Sequence, residues 1–320
     1  MSSTFNELIQ FIRAEVNQGL QKLQIPEIPS YLYDPIRYTL EGKGKRFRPI
    51  LVYLSSRANH ADPESCMKIA LAVELLHNFT LIHDDIMDND HTRHGQATIH
   101  NKWDISTAIL AGDGIYAISQ ILLNRLPDRV DAICHYFNKA TLEVCEGQAM
   151  DKEFENDLSI NENQYLKMIE KKTGSLLGAC AALPAILVGS SQDTVKQFNQ
   201  FGRSLGIGFQ IHDDLLEIFG SEDEMGKSLG SDIEEGKQTI MVIKARNKYS
   251  KEWGDIISVS KKDKTIDKIQ EFFITTGIEA ETKLLAQSYF KSAQETLDEI
   301  VSIDRNELRQ FINIVENRAY

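Results

Sequence analysis

The sequence predicts an all-α fold, and three observations carry that prediction. Apolar residues recur at helical spacing along nearly the whole chain. Strand signals are almost absent, since Asp113-Gly114 sits inside a helical pattern rather than between alternating runs. The stretch leading to Asp88 is apolar nearly all round, as a helix in the middle of a bundle must be. With 320 residues, 42 % of them hydrophobic, the chain can bury a sizeable core. No linker or low-complexity segment divides it, so residues 1–320 read as one domain, a large helical bundle.

The elements follow in order. Thr4–Leu23 places Phe5, Leu8, Ile9, Ile12, Val16 and Leu20 on one stripe, and Pro26 and Pro29 then turn the chain. Tyr31–Leu40 is a short helix stopped by Gly42-Lys43-Gly44, and Arg48–Ala58 tolerates Pro49 in its first turn. Asp62-Pro63-Glu64 is a helix start: a cap, a proline at the first position and an acid in the first turn. The helix it opens runs from Pro63 to Asp88. Further helices are expected at 102–124, 128–150, 162–189, Ser191–Phe219, 237–249, 264–276, 279–299 and 305–317, with a polar loop near 221–236.

Composition narrows the function classes. A net charge of −12 leaves no general counterion-release term for nucleic acid and no polybasic membrane anchor. Cys66, Cys134, Cys145 and Cys180 form no CxxC pair and read as reduced thiols of a cytoplasmic protein. The N-terminal MSSTFNELIQFIRAE is amphipathic and charged, unlike a leader sequence. No transmembrane segment is expected: the longest apolar stretch, Leu176–Val188, contains Pro184 and falls short of the roughly 20 residues a bilayer needs.

One pattern occurs twice. His83-Asp84-Asp85-Ile86-Met87-Asp88 is matched by His212-Asp213-Asp214-Leu215-Leu216-Glu217, 129 positions later. On a helix the first and last acids of each lie one turn apart, with about 6 Å of rise between them. Stacked carboxylates repel one another, and more so at the end of a buried helix, so a compensating cation is expected. Hard oxygen ligands suit Mg2+, which completes its shell with water and phosphate oxygens. Two facing clusters would clamp a diphosphate. A single Asp-Asp pair is usually a solvated helix end; two matched copies, each after an apolar run, favour metal. His83 and His212 read as helix-end hydrogen-bonding residues rather than general bases.

Cations flank these clusters. Gly42-Lys43-Gly44-Lys45-Arg46-Phe47-Arg48 is a glycine-marked basic loop suited to a terminal diphosphate. Lys171-Lys172-Thr173-Gly174 interrupts a helical pattern, and a break there would aim Lys172 and Thr173 inward. Gly226-Lys227-Ser228 and Gly236-Lys237-Gln238 follow the second acidic cluster, and Arg93-His94-Gly95 follows the first. Each alone is also what a solvated basic turn looks like.

Together, from about Gly42 to Thr239, these ordered motifs resemble the trans-isoprenyl diphosphate synthases, or polyprenyl synthetases. DDIMD is similar to that family's first aspartate-rich motif and DDLLE to its second, with Glu217 in place of the usual Asp. The resemblance implies an isoprenoid-synthase-type bundle with a central cavity, and a homodimer. It implies that Asp84, Asp85, Asp88, Asp213, Asp214 and Glu217 hold about three Mg2+ per site, with Mn2+ able to substitute, against an allylic diphosphate. It assigns Arg93, Lys172, Thr173, Gln210, Lys227 and Lys237 to the same site, and Lys45, Arg48 and His77 to isopentenyl diphosphate. His94 stands where the family usually has a second Arg that contacts isopentenyl diphosphate.

The expected reaction is ionisation of the allylic C–O bond, attack by the isopentenyl double bond, and proton loss to the released diphosphate. Phe79 and Thr80, one turn or more before Asp84, would floor the cavity that takes the growing tail, though core packing is the ordinary role of a buried aromatic. HNFTLIHDDIMDND resembles the archaeal-type geranylgeranyl diphosphate synthases, which implies a twenty-carbon product, with farnesyl or a longer polyprenyl diphosphate as the alternative. A class I terpene cyclase would not need Lys45, Arg48 and His77, and a non-catalytic synthase subunit would be expected to have lost an acidic motif.

Overall fold

The computed structural model describes residues 3–42, 44–93, 95–220, 229–263, 266–301 and 303–317. It divides into two compact units: Met1–Lys139 with Ala179–Asn199 and Ile300–Phe311, and Ala140–Gly178 with Gln200–Glu299 and Ile312–Tyr320. His94 and Lys227, both expected at the site, lie outside the described residues.

The first unit is built around one apolar helix. Helices α1 (Ser3–Gln21), α2 (Ser30–Leu40) and α3 (Phe47–Ala58) lead into α4 (Pro63–Met87). The predicted stripe of α1 is buried except for the half-buried Leu8, with Ile12 and Val16 fully so. The Asp62 side chain caps α4 by accepting from the Ser65 N–H at 2.8 Å, with Pro63 at the first position, as the sequence implied. Helix α4 then packs on α1 and α3 and against α6 (Ile105–Leu123). Helix α6 starts later than its predicted 102, because Asp104 caps it through the Thr107 N–H at 2.9 Å. Between α4 and α6 lie a two-residue ribbon, β1 (Thr92–Arg93) antiparallel to β2 (Gln96–Ala97), and the single turn α5 (Ile99–Lys102). Strands this short carry no periodicity for a sequence reading to find. The Tyr38 hydroxyl donates to Ala97 O at 2.9 Å and ties the ribbon to α2.

Among the described residues two helices are long and apolar enough to cross a membrane by length and composition, Pro63–Met87 and Ile105–Leu123, each with mean hydropathy 1.3 over its most apolar window. Two-thirds (67 %) of that window is buried for α4 but only 39 % for α6.

Helix α7 (Val130–Phe154) supplies its second half to the other unit. That unit continues with α8 (Glu162–Ile169), opened by a reciprocal cap between Asn161 and Gln164. The predicted single helix 162–189 is interrupted, as the Lys-Lys-Thr-Gly string suggested: Glu170–Gly174 is a π-helical turn and α9 (Ser175–Leu187) follows. Helix α10 (Gln192–Phe219) crosses the π-turn closely, since a Cβ on Gly206 would lie 2.7 Å from Gly174 Cα. After α11 (Ser231–Glu234) come α12 (Ile240–Lys248), α13 (Ser250–Asp263), α14 (Asp267–Thr275), α15 (Ile278–Glu299) and α16 (Asn306–Glu316). Helix α13 was not expected. Its buried anchor is Trp253, whose ring stacks 5.7 Å from Phe272 and 5.3 Å from Phe273 of α14.

Candidate active site

In the first unit the acidic motif occupies the last turn of α4. Its three carboxylates are not equivalent. Asp85 is buried, 5 % exposed, whereas Asp84 and Asp88 are half-buried. Position 85 lies about 100° round the helix from 84, while 84 and 88 share a face. Arg93, on the ribbon, donates Nε to Asp85 Oδ1 at 2.5 Å and reaches Asp90 at 3.3 Å. Burial pushes the Asp85 carboxyl up to about 6, and Arg93 opposes that shift. Ribbon and helix end are thus joined by a partly buried charge-assisted bond. His83 stands near Ile109 O at 3.5 Å and Asp113 at 3.9 Å, in keeping with the hydrogen-bonding role expected of it.

Phe79 is half-buried, its ring 4.6 Å from that of His83 and 5.4 Å from Tyr116. The Thr80 hydroxyl turns back to its own helix, donating to His77 O at 2.8 Å.

The basic loop is held from inside. Arg48 Nη1 and His77 Nε2 are 3.0 Å apart, so two of the three residues expected to share one substrate do meet. Lys45 is exposed. The anchor between Lys45 and Arg48 is a pair that sequence reasoning missed. Arg46 takes a left-handed backbone (φ 55°) at the start of α3 and buries its guanidinium. It donates Nη1 to Glu74 Oε1 at 2.5 Å, Nε to Asn17 Oδ1 at 2.9 Å and Nη2 to Gly42 O at 2.6 Å.

In the second unit the acidic motif lies on α10. Asp213 is half-buried, while Asp214 and Glu217 are 5 % and 3 % exposed. Thr173 Oγ1 donates to Gln210 Oε1 at 2.8 Å, and Gln210 Nε2 donates to Asp214 Oδ1 at 3.0 Å. The fully buried Tyr165 closes this chain by donating its hydroxyl to Asp214 Oδ2 at 2.6 Å. Burial pushes Asp214 up to about 7, with the Tyr165 hydrogen bond opposing, and burial also raises Tyr165, which keeps its proton as donor. Glu217 Oε1 accepts from the Asp232 N–H at 3.1 Å and from Ser231 Oγ at 3.3 Å, so it fastens α11 to α10.

Lys172 Nζ meets Asp151 Oδ2 at 2.5 Å, and Lys237 pairs with Glu235 at 3.1 Å. A Cβ on Gly147 would overlap the backbone of Lys172, so that glycine is what lets α7 seat against the π-turn. Tyr165, Asp151 and Glu74 were missed by the sequence reading. The available signal was a polar residue on an otherwise buried helical face.

The donor chemistry suits a hard cation. Each motif offers half-buried aspartate oxygens beside anchored neighbours, and a Mg2+ there would fill its shell from water and phosphate oxygens. Among the described residues no three His, Cys, Asp or Glu side chains form a metal-binding group by themselves.

Comparison with known proteins gives the geometry a setting. A polyprenyl synthetase family model matches residues 29–274. The chain is 37 % identical over 304 residues to a geranylgeranyl diphosphate synthase of Methanosarcina mazei, with 93 % of each chain covered. It is 43 % identical over 243 residues to a geranylgeranyl pyrophosphate synthase of Geoglobus acetivorans, covering 75 % of this chain and 76 % of that one. The solved structure of a geranylgeranyl pyrophosphate synthetase from Pyrococcus horikoshii superposes with a TM-score of 0.88 at 31 % identity, covering 99 % and 100 % of the two chains.

Proposed function

This chain belongs to the polyprenyl synthetase family, and from that premise we propose that it is a short-chain trans-polyprenyl diphosphate synthase condensing isopentenyl diphosphate with an allylic diphosphate to give geranylgeranyl diphosphate. The observation that carries the proposal is the division of labour within each acidic motif. The carboxylates of Asp85, Asp214 and Glu217 are buried and held by protein donors, while Asp84, Asp88 and Asp213 are half-buried and keep part of their surface exposed.

Residues 1–320 act in this reading as a single polyprenyl synthetase domain. Asp84, Asp88 and Asp213 hold divalent metal, about three Mg2+ per site or Mn2+ in their place, against the allylic diphosphate; Asp85, Asp214 and Glu217 fix the helix ends that carry them. A metal bound there would supply positive charge to offset the charge that develops on the diphosphate. Lys172, Thr173, Gln210, Arg93, Lys227 and Lys237 line the same diphosphate, and the Lys172 ammonium is oriented by its contact with Asp151. Arg48 and His77, fixed by their mutual contact, receive isopentenyl diphosphate with Lys45, and His94 stands there in place of the family's usual second Arg. Apolar helix faces exclude the water that would quench the allylic cation. Phe79, with Thr80 beside it, limits the tail at twenty carbons.

The exposed apolar side chains of α6, Ile105, Ile109, Leu110 and Ile121, support a homodimer that covers this face. A cytoplasmic location, without a membrane-spanning segment, completes the proposal.

The test is direct. Purified protein with Mg2+, isopentenyl diphosphate and farnesyl diphosphate should release diphosphate and yield a twenty-carbon product by chromatography. Asp84→Ala and Asp213→Ala should each abolish turnover. Wild-type protein that releases no diphosphate without a partner would refute the proposal.

A further inference from the structure

Among the described residues, one buried side chain of helix α7 has no hydrogen-bond partner. Gln148 is 8 % exposed, and both its carboxamide atoms, Oε1 and Nε2, are buried without a hydrogen bond. It lies on the buried stripe of α7 with Thr141, Val144, Gly147 and Asp151. Gly147 abuts the backbone of Lys172, and Asp151, one turn beyond Gln148, holds Lys172 Nζ at 2.5 Å. The unbonded carboxamide therefore falls between two contacts that α7 makes with the turn presenting Lys172 and Thr173.

Native interiors keep few unsatisfied polar atoms, because each destabilises the fold. A buried amide unbonded at both ends is kept where something else completes it. That partner must offer an acceptor to Nε2 and an electropositive group to Oε1. An ionising allylic diphosphate offers both: anionic oxygens, and positive charge spread over the allyl carbons.

We propose that Gln148 contacts the allylic substrate, with Nε2 donating to the diphosphate beside Lys172 and Oε1 facing the allylic cation as it forms. This rests on the prenyl-transfer reading above. As the C–O bond breaks, its electron pair leaves with the diphosphate. Gln148 forms no covalent bond and gives up no proton; the isopentenyl π electrons make the new C–C bond. An amide oxygen suits this place because it is a strong dipole and a poor nucleophile. The competing arrangement is a carboxamide satisfied only by internal water.

Two variants separate these. Gln148→Met keeps the bulk and removes both polar atoms. Gln148→Glu keeps the shape, removes the donor and adds negative charge. Each is assayed with Mg2+ while farnesyl diphosphate and isopentenyl diphosphate are varied in turn, and thermal unfolding is followed alongside. We expect Gln148→Met to lower kcat about ten- to a hundred-fold, the range for losing a hydrogen bond to a charged group. KM for farnesyl diphosphate should rise, while KM for isopentenyl diphosphate, half-saturation by Mg2+ and Tm hold steady. Gln148→Glu should raise KM for farnesyl diphosphate further, and it decides the matter by the same split if Gln148→Met does not fold. Kinetics within two-fold of wild type would overturn the proposal. So would a lowered Tm with both KM values unchanged, which marks an internal water site. Failure of the prenyl-transfer reading shows separately, as wild-type protein that condenses nothing.

Discussion

Replacing Glu74 by alanine is expected to cost about 3–5 kcal/mol, the penalty for stranding one charge of a buried ion pair. The two side chains are 5 % and 4 % exposed, so solvent does little to soften the loss. For a chain of 320 residues, about 2.1 cal/mol/K of unfolding entropy per residue turns that into a Tm lower by about 4–7 °C. A transition confined to the first unit would move roughly twice as far, since about half the entropy is then involved. The functional effect should be selective. Arg46 pins Gly42 and Asn17 as well as Glu74, and Arg48, two residues on, meets His77 one turn beyond Glu74. Releasing Arg46 loosens the loop that carries Lys45 and Arg48. KM for isopentenyl diphosphate should rise about tenfold, comparable to losing one charge-assisted hydrogen bond, while KM for the allylic substrate holds. Calorimetry and steady-state kinetics read the two effects. The double variant Arg46→Met/Glu74→Leu should regain most of the stability, because an apolar pair of similar volume avoids the desolvation of both charges. It should not regain KM, because the ties to Gly42 and Asn17 are gone. A Glu74→Ala protein melting within about 1 °C of wild type would refute the energetic argument. One that melts lower with both KM values intact would refute the positioning role.

Three further outcomes are expected. Phe79→Ala removes the half-buried ring between His83 and Tyr116 and should shift the product beyond twenty carbons; chromatography showing an unchanged product would count against Phe79 as the floor. Gly147→Ala forces α7 off the backbone of Lys172, and a displacement near 1 Å should lower kcat about a hundred-fold. The control Gly254→Ala, in α13 with open space around it, should leave kcat alone and add up to about 1 kcal/mol of stability. Burial pushes Cys66 up to about 11 and Cys180 to about 12, so thiolate is scarce at both at pH 8. Iodoacetamide should modify exposed Cys145 first, as peptide mapping would show, and denaturant should open all four cysteines.

The long helices were legible because their burial writes a period into the sequence. The stripe of α1, the all-round apolarity of α4 and the capping signal at Asp62-Pro63 each reappear where expected. Helix α13 was not legible, since Trp253 is its one buried large apolar anchor and a thin stripe does not stand out from loop. The ribbon after α4 is held by Tyr38 and by Arg93, contacts made by distant or isolated residues rather than by any local pattern. The break at Lys171-Lys172-Thr173-Gly174 was visible, but that it would take the form of a π-turn was not.

The site was legible as residue types and only partly as partnerships. Local periodicity can mark a polar residue that falls on a buried face, yet it cannot say what that residue meets. Glu74 meets Arg46 across 28 positions, Asp151 meets Lys172 across 21, and Tyr165 meets Asp214 across 49. Each partner was itself inside or beside a motif already singled out, so the anomaly on one helix and the motif on another were two halves of one contact. Gln148 is the same kind of anomaly on the same face as Asp151, but no side chain among the described residues answers it. Glu74, Asp151 and Tyr165 hold parts of the site in place through the protein, and Gln148, on the proposal above, does so through what the protein binds.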